Sequence, residues 1–172
     1  MGETAKYEVI LKEDEFEIRK YERMLVATVR DAPSKFQALF RYITGSNISR
    51  SKIDMTSPVI TSEKIAMIAP VLSNRDTMSF VVPAEYDKES VPEPTDPRVS
   101  IDEVPERYVA TVRFRGFAWK DSVKKQTDKL LKKIDEKELT LKGSPFMMQY
   151  NPPYIPGFLR RNEVGVEIEY DE

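Results

Sequence analysis

A five-residue sequence, VATVR, occurs twice and constrains the fold of this chain more than any other feature. LVATVR stands at residues 25–30 and YVATVR at 108–113, 83 residues later. The alignment continues towards the N-terminus, where Ile18 matches Ile101, so that FEIRKYERMLVATVR corresponds to VSIDEVPERYVATVR. Both stretches alternate apolar and polar residues and are rich in β-branched side chains, which is typical of strands. We therefore expect two similar halves that each contain this strand region.

A helix is predicted directly after each of these strand regions. In the first half, SKFQALFRYITG carries apolar residues at the spacing i, i+3, i+4 and i+7, which places them on one face of a helix that packs on the core. Ser34 can cap the start of this helix and Gly45 its end. The face that we expect to be buried consists of Phe36, Leu39, Phe40 and Ile43.

The second helix is predicted in KDSVKKQTDKLLKKIDEKE, with Asp121 or Ser122 as the N-terminal cap. Its lysine-rich last turns suit the negative end of the helix dipole. A basic face beside an apolar stripe can also bind an acidic protein partner, although a surface helix that covers a sheet explains the same pattern. The apolar residues on one side of this helix are Val123, Leu130, Leu131 and Ile134.

Two further strands are predicted after each helix, so that the plan β-α-β-β is written twice. The clearest candidates are TMSFVVP at 77–83, SPFMMQYN at 144–151 and NEVGVEIEY at 162–170. We expect one α+β domain over residues 1–172, a distorted or partial β-barrel flanked by two main helices, with a cavity between the halves. The predicted pseudo-repeats span about 7–84 and 98–170, and the Pro-rich segment 84–98 connects them.

A shorter repeat lies between the first helix and the next strand. KIDMTSPVI at 52–60 and KIAMIAPVL at 64–72 agree at five of nine positions. Each copy contains a proline, which cannot donate a hydrogen bond within a sheet, so we expect edge strands or extended loop. One interpretation is an edge hairpin whose Met and Ile side chains enter the core. The other is that Met55 and Met67 form the adaptable wall of a ligand site.

Composition excludes several classes of site. The chain has no Cys and no His, which excludes disulfides, thiolate clusters, His-based zinc sites and catalytic triads that depend on His. A net charge of −2 argues against a dedicated nucleic-acid-binding protein. No apolar run is long enough to span a membrane, and the first residues lack a signal-peptide pattern. We therefore expect a cytoplasmic protein.

Several motifs in order resemble the SOUL, or haem-binding-protein, family. They are FEIRKYE, FQALFRYITGSN, KIDMTSPV, MSFVVP, a Pro-rich connector ending in DPRV, and RNEVGVEI, and they cover roughly residues 16–169. The resemblance implies a distorted barrel of two βαββ halves, similar to the effector-binding domains of the GyrI-like superfamily. It also implies that the chain is a non-enzymatic protein that binds haem or another tetrapyrrole, as a carrier or buffer, in a shallow apolar groove.

The family resemblance further implies where this ligand would lie. A porphyrin is a flat apolar disc with two carboxylates on one edge, so aromatic and Met side chains suit its faces and basic side chains its rim. The implied site combines the first helix, the segment after it and the loop PPYIPGFLRR. Its residues are Phe36, Leu39, Phe40, Ile43, Arg50, Lys52, Met55, Tyr154, Phe158, Arg160 and Arg161.

Ligation of iron is the point at which this chain departs from members of the family that use a His. Tyrosinate can bind ferric haem, so Tyr21, Tyr42, Tyr150 and Tyr154 are the candidate ligands. No metal site is expected from the protein's own residues. We predict loose binding with little preference for haem over metal-free porphyrin.

Two other ligand hypotheses depend on the last strand. A buried carboxylate in an aromatic pocket can bind a lipophilic cation, and a carboxylate with a Tyr, such as Glu163 with Tyr150, can act as the acid–base pair of a hydrolase. The simpler expectation is that Glu163, Glu167 and Glu169 form a solvated face. The opposite face of the same strand carries Val164, Val166 and Ile168.

Overall fold

The computed structural model describes residues 4–30, 33–49, 62, 64–65, 67–74, 76–116, 120–151 and 155–171. Within these ranges the chain forms two α-helices and one short 3-10 helix. Neither α-helix in this part of the chain is long and apolar enough to cross a membrane. The helices are α1 at Lys35–Thr44, α2 at Lys120–Glu136 and the 3-10 helix at Gly157–Leu159.

Twelve strands occur in the same ranges, and most of them fall where period-2 patterns predict strands. The stretch FEIRKYERMLVATVR divides into two strands at a two-residue connection, and so does its counterpart in the second half. The strands are β1 Tyr7–Glu13, β2 Phe16–Tyr21, β3 Met24–Arg30, β4 Asn47–Ile48, β5 Ile68–Ser73, β6 Thr77–Val81, β7 Glu93–Pro94, β8 Val99–Val104, β9 Arg107–Arg115, β10 Thr140–Leu141, β11 Phe146–Gln149 and β12 Arg161–Glu169.

One antiparallel sheet, curled into a half-barrel, organises the molecule. Its strand order is β1-β2-β9-β12-β11-β5-β6-β3-β8, with β10 beside β12, and β4 pairs with β7 separately. The order from β2 to β8 reflects the two similar halves of the chain. If each strand is exchanged with its counterpart, the same order results when it is read in the opposite direction. The counterparts are β2 and β8, β3 and β9, β5 and β11, and β6 and β12. The α+β half-barrel with two main helices is therefore confirmed, whereas the residue limits of the two halves remain a prediction.

The two helices cover one face of the sheet. Leu130 and Ile134 of α2 pack against the buried side chains of β2, β9 and β12, while α1 packs on β3, β6 and β8. Tyr21, Val81 and Met148, which come from distant strands of the sheet, meet on the opposite face. That face is therefore the concave one, and it turns away from both helices.

The buried face of α1 differs from the predicted one. Leu39 and Ile43 are buried as expected, together with Ala38 and Tyr42. The expectation that Phe36 and Phe40 belong to the core is wrong, since 41% of Phe36 and 47% of Phe40 is exposed. A stripe defined by large apolar residues leaves out a small Ala and a Tyr, so it lies to one side of the true contact face. The four residues of the predicted face are therefore divided, with Leu39 and Ile43 buried and Phe36 and Phe40 exposed.

Helix ends follow the predictions only in part. Gly45 does end α1, with φ +137° and its backbone N–H donated to the carbonyl of Arg41. Ser34 does not cap the start of α1 through its side chain, because its backbone lies in the left-handed region and its hydroxyl makes no capping bond. In the second helix, Asp121 and Ser122 lie inside the first turn rather than before it, so neither can be the cap.

The proline-containing repeat lies partly outside the described residues, since these omit the first copy at 52–60. Residues 68–72 of the second copy belong to β5, and their assignment to an edge strand is wrong because β5 pairs with β6 on one side and β11 on the other. Pro70 is tolerated at this central position because the pairing register shifts between Ile68 and Val71. Nearby, Ile65 is buried whereas Met67 is exposed.

Gly165 of β12 provides a test of the packing on the concave face. A Cβ atom there would lie 2.8 Å from Cε of Met148, 3.1 Å from Cγ1 of Val109 and 3.2 Å from the Phe146 ring. We expect Gly165→Ala to destabilise the fold by about 1–3 kcal/mol, because these side chains cannot all move away. The free energy of unfolding in denaturant measures this effect.

Gly143→Ala is the matched control for this prediction. The nearest atom to a Cβ at Gly143 is the Cβ of Glu167 at 3.8 Å, which is an ordinary van der Waals contact. We expect a change within about 0.5 kcal/mol for this variant. Equal stability of the two variants would contradict the packing described for Gly165.

Candidate functional site

An exposed aromatic pair lies on the outer surface of α1. The rings of Phe36 and Phe40 are nearly parallel, with their centroids 6.1 Å apart and an angle of 13° between their planes. Phe36 also contacts Phe80 of β6 edge-on, with 5.4 Å between centroids, which fixes the inner side of the pair. Nearly half of each side chain is exposed to solvent. Such a surface can pack against a flat apolar ligand.

The segment around the 3-10 helix contributes a second exposed aromatic residue. Phe158 has 72% of its surface exposed, and Leu159 beside it is also exposed. Arg160 donates from Nε to the carbonyl of Ile155 at 2.9 Å, and its own carbonyl accepts from the N–H of Gly116. These bonds attach the segment to the end of β9. Among the described residues, no ring contact joins Phe158 to the aromatic pair on α1.

Four of the residues predicted to bind a tetrapyrrole cannot be placed. Arg50, Lys52, Met55 and Tyr154 lie outside the described residues, so their roles remain predictions. Arg161 is placed, but in a position different from the loop where it was expected. It is the first residue of β12, and its guanidinium carbon lies 4.1 Å from the centre of the Tyr150 ring.

Arg19 is the centre of a buried ionic cluster on the concave face. Its Nη1 and Nη2 atoms donate to the two carboxylate oxygens of Glu163, at 2.7 and 2.5 Å. Its Nε atom donates to Glu17 at 2.7 Å, and Nη1 also donates to the hydroxyl of Tyr21 at 2.9 Å. The ring of Tyr7 covers the guanidinium at 4.3 Å. All of these partners hold one guanidinium group in a single orientation.

Glu163 receives two further hydrogen bonds. The hydroxyl of Tyr150 donates to one carboxylate oxygen at 2.5 Å, and Nη2 of Arg161 donates to the other at 3.0 Å. Burial by itself would raise the pKa of Glu163, but the bonds from Arg19 and Tyr150 lower this pKa to about 2. Burial and the neighbouring Tyr21 and Glu163 raise the pKa of Tyr150 well above its ordinary value. Glu163 is therefore ionised and Tyr150 protonated near neutral pH.

The expectation that the acidic residues of β12 form a solvated face is wrong for Glu163. This side chain is completely buried, Glu167 is partly buried, and only Glu169 is exposed. Burial of Glu163 is tolerated because Arg19 compensates its charge. The opposite face of β12 carries Val164 and its apolar neighbours, which are buried against α2 as predicted.

The concave face offers little room for a ligand. Ala5 is buried among Tyr21, Val81 and Met148, so the N-terminal segment fills the space in which we expected a cavity. A cavity of about 230 Å³ remains beside this segment, below the usual range of about 300–1,000 Å³ for ligand pockets. An open cleft of about 620 Å³ near Arg107 is lined mostly by charged and polar residues. Neither space matches the flat apolar shape of a porphyrin.

The tyrosines also limit how iron could be held. Tyr42 is buried and donates its hydroxyl to the carbonyl of Pro92 at 2.6 Å, while Tyr21 and Tyr150 belong to the ionic cluster. Three of the four candidate ligands are thus engaged in hydrogen bonds, and the fourth, Tyr154, is outside the described residues. The described residues fit the faces of a porphyrin on α1, but they do not fit ligation of its iron.

The alternation of residues in β2 is a sequence signal for the ionic cluster, although we did not predict the cluster from it. In FEIRKY, the polar residues Glu17 and Arg19 alternate with Phe16 and Ile18, so one face of β2 is ionic and the other apolar. A strand that is buried on both faces and carries alternate charges needs partners of opposite charge on the same face of a nearby strand. For Arg19 this partner is Glu163, the glutamate of NEVGV on β12.

Replacement of Glu163 by glutamine tests whether the ionic cluster stabilises the fold. We expect Glu163→Gln to lower the free energy of unfolding at pH 7 by about 3–5 kcal/mol, because the charge of Arg19 is left buried without its main partner. The matched control is Glu169→Gln on the same strand, which is exposed and should change stability by less than about 0.5 kcal/mol.

The pH dependence of unfolding gives an independent readout. The pKa of Glu163 in the folded chain, about 2, lies below its ordinary value of 4.5. Its contribution to stability is therefore complete above about pH 4.5 and is lost as the pH falls towards 2. Between these pH values the stability of Glu163→Gln should fall less steeply than that of the parent. Parallel curves for parent and variant would show that Glu163 is not stabilised in its ionised form.

The fold is shared with solved structures of low sequence identity. The C-terminal domain of EcmrR aligns with a TM-score of 0.60 and 12% identity, over 96% of this chain and 99% of that one. A hydrolase from Listeria innocua aligns with a TM-score of 0.56 and 11% identity, over 93% and 94% of the two chains. At these identities the similarity concerns the fold alone.

Comparison of sequences identifies the family. No curated protein sequence matches the chain significantly. The profile of the SOUL heme-binding protein family, in contrast, matches residues 2–167, which is nearly the whole chain. The match includes the helix with the exposed aromatic pair and both strands of the Arg19–Glu163 ion pair. The chain therefore belongs to the SOUL heme-binding protein family.

Proposed function

We propose that this protein binds tetrapyrroles, either haem or metal-free porphyrin, on the outer surface of α1, and that it acts as a carrier or buffer rather than as an enzyme. The observation that supports this most directly is the pair Phe36 and Phe40, two nearly parallel rings that are half exposed in a member of a heme-binding family. When bound, the tetrapyrrole supplies a flat conjugated surface and, in haem, a redox-active iron. The protein supplies the apolar surface beneath it.

The remaining residues of the proposed site complete its expected chemistry. Arg50 and Lys52 follow α1 in the sequence and can neutralise the carboxylates at the porphyrin rim. Met55 and Tyr154 can adapt to its faces, and Phe158 can cover its edge. Their contribution rests on the family resemblance and on their residue types. Because the candidate tyrosines that the structure describes are engaged in hydrogen bonds, we propose similar affinities for haem and metal-free porphyrin.

The two alternative functions are less well supported. Glu163 points inward, as a site for lipophilic cations or a hydrolytic acid–base pair would need, but either function at this residue also requires its carboxylate to be available to a ligand. Arg19, Arg161 and Tyr150 already occupy its carboxylate oxygens, and the group is completely buried. A carboxylate with a pKa near 2 is also a weak general base at neutral pH. The porphyrin hypothesis needs no change in this cluster.

Parallel absorbance and fluorescence titrations with ferric haem and metal-free protoporphyrin test the proposal. We expect saturable one-to-one binding of both, with similar midpoints. Phe36→Ser and Phe40→Ser should each weaken binding about tenfold, since each removes part of the apolar contact area. Because both side chains are half exposed, we expect both variants to fold.

Leu141→Ser is the matched control, since this exposed apolar residue lies on β10, away from α1. We expect its affinity to equal that of the parent. Absence of saturable binding by the parent would refute the proposed function, and unchanged affinity in the double variant of Phe36 and Phe40 would refute the proposed site. Tight binding of haem alone with a tyrosinate charge-transfer band would contradict the expected absence of an iron ligand.

A further inference from the structure

Three arginines converge where β9 ends and β12 begins. Arg115 and Arg161 are directly opposite each other in the antiparallel β9–β12 ladder, and Arg113 is two residues before Arg115. The register is continuous here, so alternation places all three side chains on the concave face. Side chains directly opposite on neighbouring strands have Cβ atoms about 5 Å apart, at which like charges repel. This arrangement is unfavourable unless negative charge lies nearby.

The described residues supply too little negative charge for these arginines. Nη2 of Arg161 and Nε of Arg113 lie 3.0 and 3.7 Å from the same carboxylate oxygen of Glu163. The two guanidinium groups are therefore close to each other and share one acidic partner. That carboxylate is already bonded at both oxygens by Arg19. Arg115 forms no ion pair with any described residue. Among the described residues, the guanidinium groups of Arg19 and these three arginines thus have two carboxylates as partners, those of Glu17 and Glu163.

Hydrogen bonding shows the same excess of donors. The Nε atom of Arg161 is buried and has no hydrogen-bond partner among the described residues. The carbonyl of Glu15 accepts the backbone N–H of Arg113, but the Glu15 side chain pairs with none of the three arginines in this part of the chain. A buried donor without an acceptor costs free energy, so this atom adds to the excess of positively charged donors in the cluster.

The corresponding place in the first half is neutralised, and this contrast supports a specific role. Arg30 of β3 corresponds to Arg113 under the 83-residue repeat, and its Nη2 atom bonds the carboxylate of Asp102 at 3.0 Å. Under the same repeat, Asp102 of β8 corresponds to Arg19 of β2, so the place beside Arg113 that matches Asp102 is held by Arg19. Arg30 thus has an acidic partner, whereas Arg113 has another arginine at the equivalent position. This local excess of positive charge occurs in a chain whose net charge is −2.

We propose that Arg113, Arg115 and Arg161 form a binding site for a small oxyanion with two negative charges, either a phosphate or a dicarboxylate. The side chains of Arg113 and Arg161 are 34% and 31% exposed, so they are accessible to a small anion yet partly shielded from water. Guanidinium groups bind both anions through paired, charge-assisted hydrogen bonds. The site lies on β9 and β12, separate from the aromatic pair on α1, and it gives Arg161 a different role from the tetrapyrrole contact that the family resemblance implied.

Calorimetric titration of the full chain with sodium phosphate and with succinate, at ionic strength held constant with sodium chloride, tests the proposal. We expect saturable binding of at least one of the two anions. Arg115→Gln should weaken that binding at least about tenfold, because one of three charge-assisted contacts is lost. Arg30→Gln is the control, since it removes a strand arginine that already has its own acidic partner, Asp102, and should bind as the parent does.

Thermal unfolding without added anion gives a second readout. Arg115→Gln should raise the unfolding midpoint, because it removes the repulsion with Arg161, whereas Arg30→Gln should not. Binding of phosphate alone would identify a phosphate-bearing ligand, and binding of succinate alone a dicarboxylate. No saturable binding of either anion to the parent would overturn the proposal. Undiminished binding in Arg115→Gln would overturn it as well.

Discussion

The bidentate ion pair between Arg19 and Glu163 is the interaction on which the rest of the structure depends. It connects β2 to β12, which are separated by β9, and it draws Tyr150, which follows β11, into the same cluster. A shift of one residue in either strand would turn a charged side chain towards the helices and leave the other unpaired. The pair therefore specifies the register of three neighbouring strands, while the apolar contacts on the helix side supply most of the burial.

The filling of the concave face also explains why we propose a ligand site elsewhere. A half-barrel of two similar halves invites the expectation of a cavity between them, but here Ala5 and the ionic cluster occupy that space. Apolar surface left for a flat ligand is found instead on α1, where Phe36 and Phe40 are only partly used by the core. The same fold thus separates an ionic cluster on the concave face from an exposed aromatic pair on α1.

How much could be predicted from sequence depended on the range of the interactions involved. Strands such as β9 and β12, and the helix that ends at Gly45, follow from local periodicity and from backbone conformation, and both were predicted correctly. The buried state of Glu163 could not be predicted from its own strand, because it depends on Arg19, 144 residues away. The exposure of Phe40 was missed for a related reason, since the contact face of α1 is set by the sheet beneath it.

Gly165 illustrates how closely the strands of this sheet constrain one another. The space that a side chain would need at this position is occupied by the end of Met148 on the neighbouring strand β11. Val109 and Phe146 also crowd this space, so a side chain at residue 165 calls for compensating changes at several of these positions. As sequences of this fold diverge, we expect residue 165 to vary together with residues 109, 146 and 148, and the order in which their mutations arise would decide which evolutionary routes remain open.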